Sequence, residues 1–310
     1  MQEQDRPKKH GAFTIVELLT VMSIIIVLIG LLVPALNQVK RYSKEVKQRA
    51  QFHSIDVAME LFETEYGSYP SSDEDGSDGQ PYCGAMKLAE AMVGQDLSGF
   101  HMDSAFRSDL RDAGDDYYLY AIPGVAQSIT DAETEANKQS RKGPYLGIEN
   151  ANATRMKDIY ATLDNFTAAN MEERFVMCDE YTRTMATGIK TGMPILYYKA
   201  NLSGTRHPSP DPPGNGYAAD HADNIYDFKD NDDLVDEPVP WNTAVIHPMT
   251  DDEGAANDGK GPLETFYWRI WNENILLRDG RPFKVDSYIL LSAGFDGLYG
   301  TRDDIYNFQK

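Results

Sequence analysis

Residues 13–36 read FTIVELLTVMSIIIVLIGLLVPAL and form the longest apolar stretch of the chain. Only one of these 24 residues, Glu17, is charged. At about 1.5 Å of rise per residue, a helix of this length crosses the roughly 30 Å hydrocarbon core of a bilayer. Three basic residues lie in the short segment 1–12, and the positive-inside rule places that end in the cytoplasm. The sequence therefore predicts a single-pass anchor whose long C-terminal part is translocated.

The length of this segment distinguishes it from a secretory signal peptide, and Glu17 distinguishes it from an ordinary anchor. A secretory signal has a shorter apolar core and a small-residue cleavage site on its far side. Glu17 places a carboxylate four residues into the apolar run, where a charge is costly and is usually retained because it finds a partner. Pro34 removes a backbone hydrogen bond and predicts a kink or local melting of the helix. A plain single-pass anchor is the alternative interpretation.

The composition of the 310 residues favours a folded domain with an acidic surface. Hydrophobic residues make up 41% of the chain, enough for a core. The 29 basic and 49 acidic residues give a net charge of −20. This balance argues against binding of nucleic acid, or of an anionic lipid surface, by the globular part. Cations are its natural counterparts.

The apolar pattern continues beyond Pro34 at helical spacing and predicts one helix from about Phe13 to Glu65. Gly and Pro in the segment 66–70, YGSYP, end it. We expect the second half of this helix to bury its apolar stripe against an antiparallel β-sheet. The stripe consists of Leu36, Val39, Val46, Ala50, Val57 and Leu61.

The rest of the chain reads as short elements joined by polar connectors. Residues 71–80, SSDEDGSDGQ, predict a solvated loop, because the closing glutamate of an EF-hand is missing. Gly84 to Leu97 predicts a short amphipathic helix. Strands are predicted at 174–179, 194–200 and 283–292, and loops at 203–216 and 227–240.

Near the C-terminus, Ala293 to Ile305 reads AGFDGLYGTRDDI. The carboxylates of Asp296, Asp303 and Asp304 can converge on a hard cation, because glycines let backbone carbonyls point inward as well. Calcium is the expected ion outside the cytoplasm. An Asp-Gly turn followed by a solvated acidic pair is the alternative interpretation.

The two cysteines, Cys83 and Cys178, both fall in the translocated part, where a disulfide could form. Two unpaired buried thiols are an equal alternative, since spacing alone cannot bring the residues together. The six histidines show no metalloprotease spacing, and no nucleophile elbow, phosphate-binding loop or dinucleotide fingerprint is present. The sequence therefore does not predict an enzyme.

The stretch Gly11 to Leu19, GAFTIVELL, resembles the class III signal of type IV prepilins and type II secretion pseudopilins. The resemblance implies that prepilin peptidase cleaves between Ala12 and Phe13 and methylates the new N-terminal amine of Phe13. Glu17 is then fifth and Pro34 twenty-second in the mature chain, as in that family. The residue before the cut is usually Gly, whereas this chain has Ala12 there.

The same resemblance implies a fold and an organisation. The fold would be α+β, a pilin-like lollipop in which a long N-terminal helix packs on an antiparallel sheet. The chain would divide into a leader (1–12), a transmembrane helix (13–36), an amphipathic stem (37–66) and an extracytoplasmic globular domain (67–310). That domain would carry an insertion at about 71–280 and the acidic loop 293–305. The YGSYP segment is similar to the helix exit of major pseudopilins.

The family also implies partners and sites. Glu17 would attract the α-amino group of a neighbouring subunit, and subunits would associate through the helix on an assembly platform in the bacterial inner membrane. The C-terminal stretch resembles the calcium loop of major pseudopilins, which makes the carbonyls of Ala293 and Thr301 candidate ligands beside the three aspartates. The loop is shorter here than in the family.

The sequence thus predicts a structural subunit of a type II secretion pseudopilus or type IV pilus-like filament that supports protein export. The alternative is a membrane-tethered binding module or enzyme that uses the same kind of anchor, with its functional part in the middle of the chain.

Overall fold

The computed structural model describes residues 14–114, 116–208, 223–250, 262–275 and 281–308. The chain divides into two compact units, Met1–Lys44 and Glu45–Lys310. The predicted leader and the cleavage position at Ala12 and Phe13 lie outside the described residues, as does most of the connector 203–216.

Helix α1 spans Ile15–Tyr66, which confirms the predicted long N-terminal helix. The chain stays helical through Pro34, so local melting there is not observed. Losing one hydrogen bond does not interrupt a helix of 52 residues. In the unit Met1–Lys44, the described residues up to Tyr42 are exposed, and α1 is long and apolar enough to cross a membrane. Gly67, at φ +77°, follows its end.

The face of α1 that is buried in the unit Glu45–Lys310 is not the predicted one. The predicted stripe is exposed, with Val57 at 47% and Leu61 at 53%. Two glutamines belong to the buried face because backbone groups satisfy them: Gln51 Nε2 donates to the Cys178 carbonyl (2.9 Å), and Gln48 Oε1 accepts from the Glu180 N–H (2.8 Å). The buried residues are Gln48, Gln51, Phe52, Ile55, Ala58, Met59 and Phe62.

Helix α2, Gly84–Val93, is shorter than predicted and is enclosed on every side, because all ten of its residues are buried. Gly94 (φ +79°) follows its last residue. The two charged side chains on α2 find partners in the interior. Lys87 Nζ donates to the carbonyls of Asp73 (2.7 Å) and Asp75 (2.8 Å), and Glu90 accepts from the Tyr82 hydroxyl (2.7 Å). The loop 71–80 therefore binds an internal ammonium group.

The described strands form four small antiparallel sheets rather than one. The largest pairs Leu196–Lys199 (β7) with Tyr288–Ser292 (β8) and β8 with Ile305–Tyr306 (β9), and Leu291 of β8 lies opposite Leu196 of β7 and Tyr306 of β9. The cores of all three predicted strands are confirmed. The strands are β1 (Phe100–His101), β2 (Arg141–Lys142), β3 (Ala153–Arg155), β4 (Phe175–Met177), β5 (Arg183–Thr184), β6 (Lys190–Thr191), β7 (Leu196–Lys199), β8 (Tyr288–Ser292) and β9 (Ile305–Tyr306).

Short helices fill much of the region between the strands. They are α3 (Ala126–Ala132), α4 (Glu135–Ser140), α5 (Ile148–Ala151), α6 (Met156–Ile159), α7 (Asp232–Val235) and α8 (Pro262–Ile270), with 3-10 turns at Met171–Glu173 and Phe228–Asn231. The prediction of a loop at 227–240 is wrong, because this segment contains two of these elements and its side chains Phe228, Leu234 and Val235 are buried. Apolar side chains scattered among its aspartates decide this burial. Fold class α+β with a long N-terminal helix is confirmed.

Candidate functional site

At the start of α1, Thr14 and Glu17 satisfy each other's backbone groups. Glu17 Oε2 accepts from the Thr14 N–H (2.9 Å) and from its hydroxyl (2.8 Å), while Thr14 Oγ1 accepts from the Glu17 N–H (3.2 Å). This is a capping box, which closes the donors left open at a helix start. The Thr-x-x-Glu spacing in the sequence is its signal, although the capping box was not among the predicted features. Glu17 and Pro34 lie exposed on the same helix.

The C-terminal loop after β8 brings Asp296, Thr301 and Asp303 together. Asp303 Oδ2 accepts from the Asp296 N–H (2.8 Å), and Asp303 Oδ1 accepts from the Thr301 hydroxyl (2.7 Å). Gly294 makes this turn with φ +65°, and a Cβ there would lie 2.0 Å from the Asp303 carbonyl oxygen. Only glycine fits that position, so the sequence of the loop determines the conformation of this turn.

Arg183, which the sequence analysis did not consider, lies against this loop. Its Nη2 donates to the Phe295 carbonyl (2.7 Å), and its guanidinium stacks 3.8 Å from the centre of the Trp241 ring. A Cβ at Gly297 would lie 2.6 Å from Trp241 and 2.9 Å from Arg183. Arg183 therefore supplies part of the positive charge that balances the acidic loop.

The two neighbouring carboxylates ionise differently. Burial and the proximity of Asp303 raise the pKa of Asp296 to about 6. Burial also opposes ionisation of Asp303, but hydrogen bonds from Thr301 and from the Asp296 backbone outweigh it and lower the Asp303 pKa. Such a split is typical of two acids that share one site. A cation between them would favour the charged form of both.

Asp304 does not join this pair. Its Oδ2 accepts from the Gly300 N–H (2.9 Å), and its Oδ1 is shielded from solvent without a hydrogen-bond partner among the described residues. In the part of the chain that the structure describes, Asp296, Asp303 and Asp304 do not bring one oxygen each within 4.8 Å of one another. Of the five predicted calcium ligands, two carboxylates and the side chain of Thr301 meet. Ala293 is buried just before the turn.

A second acidic group lies far from this loop in sequence. Glu74, Asp232 and Asp233 place one carboxylate oxygen each within 4.8 Å of the others. Burial, with repulsion from neighbouring acids, raises all three pKa values, that of Asp232 to about 8. The sequence predicts a solvated loop at 71–80 and a loop at 227–240, and this group was not predicted from it. Acidic groups of this kind are common without an ion.

The two cysteines are free thiols in the structure, so the disulfide considered from the sequence is not formed. Cys83 precedes α2 and Cys178 follows β4, and both belong to the same apolar core cluster. Burial raises the pKa of each thiol to about 12, which makes both unreactive at neutral pH.

Comparison of the chain with models of protein families, with curated proteins and with solved structures found no match. The candidate sites therefore stand on their own geometry.

Proposed function

We propose that this chain is a membrane-anchored subunit of a pseudopilus or type IV pilus-like filament. The single observation that carries the proposal is α1 itself. It begins with an exposed, almost wholly apolar segment that contains one carboxylate, Glu17, and it continues without interruption into a segment with a buried face. The capping box needs a side-chain acceptor but not a charge, since glutamine serves as well, whereas subunits that associate through this helix can pair a charged carboxylate with a neighbouring subunit.

In this proposal Glu17 has two successive partners. Before assembly the capping box with Thr14 satisfies the carboxylate within its own chain. During assembly the α-amino group of a neighbouring subunit, freed by cleavage after Ala12, takes over as its partner. In apolar surroundings the attraction between these opposite charges is strong.

Substitutions at Glu17 separate charge from capping. Glu17→Gln keeps a side chain that can close the capping box but removes the charge, and Glu17→Ala removes both. We expect both variants to be processed normally and to be absent from filaments seen by electron microscopy. Thr14→Ala, which weakens the cap and leaves the charge, should still be incorporated. Normal filaments from Glu17→Ala would refute the role of this carboxylate.

Processing is tested on the protein made in its own cells. Mass spectrometry of the mature N-terminus should find a methylated Phe13. Deleting the protein should block filament formation or export, and normal assembly and secretion without it would refute the subunit function.

Calcium in the loop 293–305 belongs to the same proposal. Asp296 and Asp303 would supply carboxylate oxygens, and Thr301 would supply a further, uncharged oxygen. The ion would stabilise the fold of the loop, and no chemistry is assigned to it.

The second candidate function is a membrane-tethered binding module. A cavity of about 750 Å³ lined by the 71–75 segment, Lys199 and Asp230 favours it, because this volume suits a small ligand. Export and filament assembly that proceed normally without the protein would favour this candidate.

A further inference from the structure

Three arginines converge on one pocket of this strongly acidic chain. The pocket, of about 360 Å³, lies between α1 and the strand β9. Arg49 comes from α1, Arg269 from α8 and Arg302 from the C-terminal loop, and the ring of Phe308 forms part of the wall. The chain has 49 acidic residues and 29 basic ones, so a pocket lined by three arginines calls for a functional explanation.

The pocket holds more positive charge than its own acids neutralise. Arg49 is paired with Glu45 on the same helix (2.9 Å), and Arg269 Nη2 donates to the Gly300 carbonyl (3.2 Å). Arg302 is exposed and makes no hydrogen bond or ion pair with any residue in the described ranges. Asp304 also lines the pocket, and its Oδ2 already accepts from the Gly300 N–H (2.9 Å), so that three arginines face one carboxylate of the lining and Glu45.

An unburied apolar strip lies beside the pocket on the same helix. Val46, Ala50 and Val57 are exposed. Val46 lies three residues before Arg49, Ala50 three before His53 and Val57 four after His53, so these residues adjoin on the helix surface. A smaller cavity of about 290 Å³ continues the pocket past His53. Cationic pocket and apolar strip together have the composition of a protein contact surface rather than of a site for a small ion.

We propose that this pocket receives a carboxylate side chain from the globular unit of a second copy of the chain, which covers the strip Val46, Ala50 and Val57. The inference rests on the proposed subunit function and names one of its contacts. Charge complementarity selects the occupant, since the surplus of acidic side chains makes another copy a matching partner. Asp73 and Asp75, both exposed, represent the kind of residue that would enter. A guanidinium fork binds a carboxylate through two parallel hydrogen bonds.

The test uses the full-length chain, in membranes and after extraction into detergent micelles. A photo-crosslinking phenylalanine analogue replaces the exposed His53, beside the pocket, and the yield and position of crosslinks are read by mass spectrometry. The protein that carries the crosslinker and keeps Arg302 should give a dimer in which position 53 is joined to an acidic segment of the second copy. A crosslink to lipid, or to another protein, would overturn the choice of occupant.

Substitutions of Arg302 then test the charge. Arg302→Glu should lower the dimer yield at least about tenfold, and Arg302→Lys should retain most of it. Arg206→Glu is the matched control, because Arg206 is equally exposed and does not line the pocket. Reversing the charge of the crosslinked acid in the second copy should restore dimers to Arg302→Glu. Equal dimer yields from Arg302→Glu and wild type would refute the proposal.

Two readouts keep this inference apart from the subunit function. If Arg302→Glu forms wild-type filaments with unchanged crosslinks, the pocket contact is wrong and the subunit function stands. If the wild type forms no filaments, the subunit function fails, and the crosslinks in micelles still decide whether the pocket binds a second copy.

Discussion

Asp179 is a carboxylate with no exposed surface, and its replacement by Asn tests how burial controls the stability of the globular unit. Its Oδ1 accepts from the N–H groups of Tyr181 (3.0 Å) and Met193 (3.2 Å), and its Oδ2 accepts from the Ser292 hydroxyl (2.8 Å). Asn has the same shape, keeps Oδ1 as an acceptor and can donate from Nδ2 to the Ser292 oxygen. Asp179→Asn therefore removes ionisation with little change in packing.

The magnitude follows from the pKa. Burial raises the pKa of Asp179 from 3.8 to about 7, although hydrogen bonds oppose the shift. An acid whose pKa is higher in the folded state favours folding below its unfolded pKa, and this contribution is lost as the pH rises through the folded pKa. The loss is about 1.4 kcal/mol per pH unit, or about 4 kcal/mol between pH 4 and pH 7. Above that pH it stays constant.

The assay is urea unfolding of the full-length chain in micelles at several pH values from 4 to 8. At pH 4 the free energies of unfolding of wild type and Asp179→Asn should agree within about 1 kcal/mol, since both side chains are then neutral in the folded protein. At pH 8 the variant should be more stable by about 4 kcal/mol. Other buried acids contribute equally to both proteins and cancel in the difference.

Asp116→Asn, at an exposed position, is the matched control for replacing a carboxylate by an amide, and its difference in free energy is subtracted at each pH. A pH-independent difference for Asp179→Asn would refute the reasoning, because it would mean that Asp179 ionises in the folded protein as readily as in the unfolded chain.

Three further predictions test the fold and the C-terminal loop. In urea titrations of unassembled protein, Phe62→Ala on the buried face of α1 should lower the free energy of unfolding by about 3–5 kcal/mol. Val57→Ala on the exposed face should change it by less than about 0.5 kcal/mol. Equal effects of the two substitutions would show that the buried face of α1 is assigned wrongly. Calcium at a hundred times its Kd should stabilise the wild type by about 2.7 kcal/mol in thermal melting, and Asp296→Asn should abolish that response; a wild type indifferent to calcium and to chelators would refute the loop site. Gly294→Ala should cost about 1–3 kcal/mol, because its Cβ meets the Asp303 carbonyl; circular dichroism melting that matches wild type would show that the turn relaxes freely.

Local signals explain what the sequence predicted well. Hydrophobicity alone indicated the apolar half of α1, and the YGSYP segment marked its end at Tyr66. Apolar and aromatic runs located β4, β7 and β8 within a few residues. Each of these signals lies inside the element that it predicts, so no knowledge of the rest of the chain is needed.

The choice of the buried face of α1 required the tertiary structure. The helix carries two apolar stripes, and the exposed one continues the pattern of the apolar segment before Pro34. Phe52, Ile55 and Phe62 enter the core because α2 and the strands offer matching surface there, and two glutamines follow because the backbone near Cys178 accepts and donates hydrogen bonds. Sequence periodicity cannot assign which polar residues will find such partners.

The sequence by itself determined a long apolar helix with a carboxylate near its start, a mixed α+β composition and an acidic, glycine-containing loop at the other end. Only the tertiary structure decided what surrounds these features: the Arg183 guanidinium at the loop, 112 residues away from Phe295 in the chain, the Lys87 ammonium inside the 71–80 loop, and the three arginines of the pocket. The physical reason is that a buried or clustered charge is tolerated only with its partners, and those partners are brought together by folding.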